Sequence, residues 1–204
     1  MTTLPGKQHD LYGSAPDNHH TALLLIDVIN DFEFARGDEL YKLAFPIAEK
    51  IRNLKKKASA LKIPSIYVND NFGRWQSRFD QIIQHCMRDD VRGKPFVEQL
   101  IPGEDDYFVL KPKHSGFYQT PLELLLKHLG ATRLVLTGVS TNSCVLFTAN
   151  DAYMRDLELI VPRDCVAACS CDETEFALKQ MREMLKADTS DSTQIDLESP
   201  PSGS

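Results

Sequence analysis

The sequence predicts an α/β fold: a three-layer α/β/α arrangement with a mainly parallel sheet held between helices. Three observations carry this expectation. Apolar runs such as "TALLLID" (21–27) and "ATRLVLTGV" (131–139) lack the polar alternation of a half-exposed strand, so both of their faces must be covered. Segments with apolar residues at helical spacing alternate with these runs, which is the pattern of βαβ units. The chain has 204 residues, 42% of them hydrophobic and 25% charged, with no internal repeat or linker, so one core is expected.

The elements follow in order. Residues 1–20, polar and broken by Pro5, Gly6, Gly13 and Pro16, read as a flexible arm ahead of a domain spanning 21–190. After the strand at 21–27, Leu43, Ile47, Ile51, Leu54 and Leu61 recur at helical spacing and predict a helix over 41–62. A strand over 64–70 opens on Pro64, a position where proline costs no ladder bond. Residues 71–103 are less regular, a helix and loops suited to a lid or pocket wall. A short strand is expected at 106–111. In "TPLELLLKHLG", Thr120 is placed to cap a helix, Pro121 suits its first position, Glu123 completes a capping box and Gly130 ends it. Then come a strand (131–139), a helix (141–156), a strand (157–164) and a helix (172–186). A short strand near 187–190 is expected to close the sheet, and the Ser- and Pro-rich residues 191–204 are expected to be a disordered tail.

Charge and composition exclude some functions. A net charge of −6 leaves no basic footprint for nucleic acid and no polybasic run for an anionic membrane. The one dense basic stretch, "LKKKASALK" (54–62), reads as the solvated face of a helix. No apolar run approaches the roughly 20 residues that span a bilayer. The start of the chain lacks a charged segment followed by an apolar one, so no secretory signal is expected. Five cysteines without such a signal suggest free thiols and a cytoplasmic location.

In a parallel sheet, ligands bind beyond the carboxyl ends of the strands. Three reactive side chains fall there: Asp27 ends one strand, Lys111 ends another, and Cys144 lies one turn past a third. Together they suit nucleophilic acyl chemistry. A free thiol has a pKa near 8.5 and must lose its proton to attack. A helix start and a lysine would favour the anion, so Cys144 is expected to be a reactive thiolate. Asp27 would take the thiol proton, pass it to a leaving amine and later activate water. The turn at Val139 and Ser140, with the N–H of Cys144, would serve as an oxyanion hole. Other candidates read as structure. Cys165, Cys169 and Cys171 match no common zinc spacing, Cys86 and His85 share a helix without further ligands, and His114 reads as an exposed loop residue.

Three motifs, "LLLIDVINDF", "VLKPKHSGFYQTPLELLL" and "LVLTGVSTNSCVLFTANDA", together resemble the isochorismatase-like cysteine hydrolases, which include nicotinamidases, N-carbamoyl amide hydrolases and ureidoacrylate amidohydrolases. The likeness runs from about residue 22 to 190. It implies a six-stranded, Rossmann-like parallel sheet, a catalytic triad at Asp27, Lys111 and Cys144, a cis peptide between Val139 and Ser140, and a homodimer or higher homo-oligomer. Nicotinamidases of this family hold a metal with an Asp and two His after the second strand. Here Asp70 has no histidine after it until His85, so no metal and no cofactor are expected. Phe32, Asn71, Trp75, Phe117, Tyr118 and Asn142 are candidate substrate-binding residues; large aromatics suit the walls of a pocket for a small planar ligand. The combined expectation is a metal-independent cysteine hydrolase that cleaves a C–N bond of a small amide, carbamoyl or lactam-like substrate through a thioester. The alternatives are an isochorismatase-type vinyl-ether hydrolase, which needs no thiol, and a non-catalytic binding protein on the same fold. Nucleic acid and membrane are not expected partners.

Overall fold

The computed structural model describes residues 19–73 and 78–198. Most of the expected arm, Trp75 and the last six residues lie outside the described residues. Six strands form one parallel sheet: β1 (Thr21–Ile26), β2 (Ser65–Asp70), β3 (Tyr107–Lys111), β4 (Arg133–Val139), β5 (Glu158–Ile160) and β6 (Val166–Ala167). The order is β3-β2-β1-β4-β5, with β6 continuing beyond β5 against the far end of β4. The helices are α1 (Gly37–Ala60), α2 (Phe79–Cys86), α3 (Lys94–Val97), α4 (Leu122–Leu129), α5 (Leu146–Tyr153) and α6 (Cys171–Met184).

The apolar runs are buried on both faces, as their composition requires: every residue of β1 and of β4 is buried. Alternate side chains enter two separate cores. Leu23 and Leu25 of β1 pack with Ala44 and Ile51 of α1, Phe79 of α2 and Phe96 of α3. Ala22, Leu24 and Ile26 pack with Leu126 of α4, Ala149 of α5 and Leu178 of α6. The sheet is therefore the middle of three layers. No helix among the described residues is long and apolar enough to cross a membrane.

Local signals set several boundaries. Gly130 ends α4 in the left-handed conformation at φ 71°, as its position suggested. The expected cap shifts by one residue: Pro121 is the N-cap of α4 and makes no side-chain cap bond, Glu123 pairs with Lys127 and Arg155 instead of closing a capping box, and the Thr120 hydroxyl, which accepts from Leu122 N at 3.2 Å and donates to the Gly116 carbonyl, ties the helix start to the preceding loop. Ser170 caps α6 by accepting from Glu173 N at 3.1 Å. Helix α1 starts four residues earlier than expected and carries Pro46 inside its long body.

Two expectations change. The strand that completes the sheet is β6, not residues 187–190, where Asp188 makes one isolated parallel bridge to Ile160. The expected tail also does not leave the body at Ser190. Ser192 donates to Asp164 through N and Oγ, both at 2.7 Å, and Ile195 and Leu197 are buried in the α1 core. Two apolar residues in a polar stretch are enough to hold it down. Leu197→Ala should therefore cost about 2–4 kcal/mol of unfolding free energy in a urea titration, whereas a loose tail would show no change.

Candidate active site

The parallel register carries the chemistry to one edge. Ile26 of β1 lies between Val68 of β2 and Gly138 of β4, and Asp70 at the end of β2 pairs with Lys111 at the end of β3. Each chain then turns. Asp27 takes φ 49° directly after β1, and its N–H donates to Val68 O at 2.9 Å. The next loop is held by Asn69, which is fully buried and exchanges hydrogen bonds with Ile29 N (3.2 Å) and Ile29 O (2.8 Å). Gly138 sits at φ +107°, and a Cβ there would fall 2.0 Å from Ile26 O, so only glycine lets β4 pass this close to Asp27. The peptide from Val139 to Ser140 is cis. A π-helical turn over Thr141–Val145 follows and leads into α5.

Lys111 joins the three side chains. It is 0% exposed, and its Nζ lies 2.9 Å from Asp27 Oδ2, 3.4 Å from Cys144 Sγ and 3.7 Å from Asp70 Oδ2. The other oxygen of Asp27, Oδ1, accepts from Asp70 N at 2.7 Å. The Asp27 charge also acts on the Cys144 thiol. Cys144 itself is half-buried. The three residues singled out from strand ends are thus in mutual contact.

Burial sets the protonation states. It raises the Asp27 carboxyl above its ordinary value, against the opposing pull of Lys111 and of the Cys144 and Asp70 hydrogen bonds. For Lys111, burial alone would favour the neutral amine, but Asp27, Cys144 and Asp70 outweigh it and hold the ammonium. Burial pushes the Cys144 thiol up to about 12, the Asp27 charge adds to this, and Lys111 opposes it. The expected resting thiolate is therefore corrected. The sulfur rests as a neutral thiol beside a carboxylate made more basic by the same desolvation.

Around the sulfur, Ser140 O accepts from Ser143 N (3.1 Å) and Val145 N (3.2 Å), which closes the turn. The loop after β3 is fixed to α5: the Thr148 hydroxyl accepts from Gly116 N (3.0 Å) and donates to Cys144 O (2.7 Å), and Ser115 donates to Asp151. That loop brings His114 to the site, with Nδ1 3.8 Å from Cys144 Sγ and 3.2 Å from Ser143 Oγ. Read alone, His114 looked like a loop residue. Its position three residues past Lys111 was the available clue.

The proposed pocket walls fare differently. Phe32 is 0% exposed and packs edge-on against Tyr41 and Phe96, so no ligand can touch it; its φ of 56° turns the side chain into the core. Phe117 is also core, with the Arg155 guanidinium 4.7 Å over its ring. The Asn71 carbonyl oxygen accepts from Gly73 N at 2.9 Å, an Asx turn holding its own loop. Asn142 accepts from Ser140 Oγ at 2.7 Å inside the turn, and Tyr118 is exposed. Trp75 lies outside the described residues.

The donor set does not suit a metal ion. Asp70 Oδ1 accepts from Phe72 N at 2.6 Å and Oδ2 faces the Lys111 ammonium. Among the described residues, no group of three His, Cys, Asp or Glu is placed to hold one.

The chain belongs to the isochorismatase family: the model of the isochorismatase domain matches residues 21–194. The protein is similar to the uncharacterized isochorismatase family protein YaaI of Bacillus subtilis (strain 168), with 43% identity over 174 residues, 85% of this chain and 95% of that one. Similarity to the ureidoacrylate amidohydrolase RutB of Enterobacter sp. (strain 638) is 26% over 205 residues, covering 88% of this chain and 86% of that one. Among solved structures, the N-carbamoylsarcosine amidase of Thermoplasma acidophilum superposes with a TM-score of 0.68 at 27% identity, over 87% of this chain and 99% of that one. The fold and the family make this protein a hydrolase.

The restraint on the thiol can be tested. Asp27→Asn keeps the carboxyl's shape, removes the opposing charge and leaves Lys111 shared between the sulfur and Asp70. Cys144 should then alkylate with iodoacetamide about tenfold faster at pH 8 for each unit its pKa falls. Peptide mapping separates it from the exposed Cys171. An unchanged or slower rate would show that the carboxylate does not restrain the thiol.

Proposed function

We propose that this isochorismatase-family hydrolase cleaves the C–N bond of a small amide, carbamoyl or lactam-like substrate through a thioester on Cys144. One observation supports this most directly: a buried ammonium touches both a carboxylate (2.9 Å) and a half-buried thiol (3.4 Å) at one edge of the sheet. The names of two similar proteins, a ureidoacrylate amidohydrolase and an N-carbamoylsarcosine amidase, agree with C–N chemistry.

The roles follow from the protonation states. As Sγ attacks the carbonyl carbon, its proton passes to Asp27, so no free thiolate needs to accumulate. Negative charge on the carbonyl oxygen grows towards the N–H of Cys144 and the turn at Val139 and Ser140, where fixed donors act in a partly water-excluded site. Asp27 then gives the proton to the nitrogen, the C–N bond breaks, and an amine or ammonia leaves. Lys111 stays protonated and offsets the charge that moves between oxygen and sulfur. Water finally cleaves the thioester to the acid and restores the thiol.

Cys144→Ala is expected to lower turnover of an amide or carbamoyl substrate by about 10³-fold or more. Wild-type enzyme quenched in acid should carry an acyl group on Cys144 by mass spectrometry. Full turnover by the alanine variant on isochorismate, with none on amides in either form, would replace this reading with vinyl-ether hydrolysis.

A further inference from the structure

The sulfur of Cys144 has two sides. On the buried side, both oxygens of Asp27 already hold protein partners, Asp70 N on Oδ1 and Lys111 Nζ on Oδ2, and the residue is 6% exposed. On the solvent side stands His114, exposed, with Nδ1 3.8 Å from Sγ and 3.2 Å from the Ser143 hydroxyl, and its ring 5.5 Å from that of Phe147. A hydrolytic water must come from solvent, into the space the amine has left. It therefore arrives on the side of His114.

We propose that His114 is a further catalytic residue, the base that activates water for thioester hydrolysis, and that Asp27 serves the acylation half of the cycle. This rests on the thioester reading above. The water oxygen bonds to the thioester carbon as one of its protons passes to the imidazole. The C–S bond then breaks, its electron pair stays on sulfur, and the imidazolium returns that proton to Sγ. The products are the carboxylic acid and the neutral thiol, with imidazole regenerated. One ring nitrogen faces the reacting atom, and an imidazole can both take and return a proton near neutral pH. The Gly116–Thr148 and Ser115–Asp151 bonds fix the loop that carries the ring.

The test uses p-nitrophenyl acetate, which acylates a thiol and reports acylation as a burst of nitrophenolate and deacylation as the slope that follows. Cys144→Ala supplies the background from other thiols. His114→Asn keeps a hydrogen-bonding side chain beside Ser143 and removes the base. Its burst should stay within about twofold of wild type while its slope falls about 10²-fold, and acetylated enzyme should accumulate in the mass spectrum. Hydroxylamine, a nucleophile strong enough to need no base, should restore release of the acetyl group from the variant. An unchanged slope, or a burst that falls in proportion to the slope, overturns the assignment. No Cys144-dependent burst in the wild type overturns the thioester reading and this inference together.

Discussion

The buried ion pair between Lys111 and Asp27 is the interaction on which the rest of the site depends. A fully buried ammonium is tolerated only when its charge is matched, because desolvation costs several kcal/mol per ion. Lys111 has three N–H donors and meets Asp27, Cys144 and Asp70, so its bonding capacity is directed at these groups. The pair also locks the ends of β1 and β3 across β2. Loss of either partner would leave a buried charge unmatched, so this single contact serves both folding and chemistry.

The same burial explains why the thiol rests neutral. A low-dielectric site disfavours a second anion beside Asp27, and the lysine charge is already committed to the carboxylate. Under the proposed mechanism, the arrangement keeps the thiol unreactive until a carbonyl arrives to share the charge. It also protects the sulfur, since oxidation follows thiolate character.

Much of this was legible in the sequence, for identifiable reasons. Strands β1 and β4 are largely apolar and stop at residues that break the pattern, so their ends, and with them Asp27 and the turn before Cys144, could be placed. Lys111 was found by the same rule. Strand β6 was not, because two residues carry no periodicity. Phe32 and Phe117 were misplaced for a different reason: their types suit a pocket, but side-chain direction after a turn depends on backbone angles, such as the positive φ of Phe32, that no spacing reports. The ionisation of Cys144 was misjudged because a helix start and a lysine were visible in the sequence and the depth of burial was not. His114 is the exposed loop residue its position suggested, and its place beside Cys144 comes from a loop pinned to a helix thirty residues away.

Strand β3 lies at the edge of the sheet and is joined to it along β2. The lysine that organises the centre therefore hangs from an edge strand, held by its ladder to β2 and by the Gly116–Thr148 pin in the loop beyond it. Edge segments open at lower free energy than central ones. Fraying of this margin would withdraw the ammonium while β1 and β4 remain paired, so the contact between Lys111 and Asp27 is expected to be lost before the sheet as a whole.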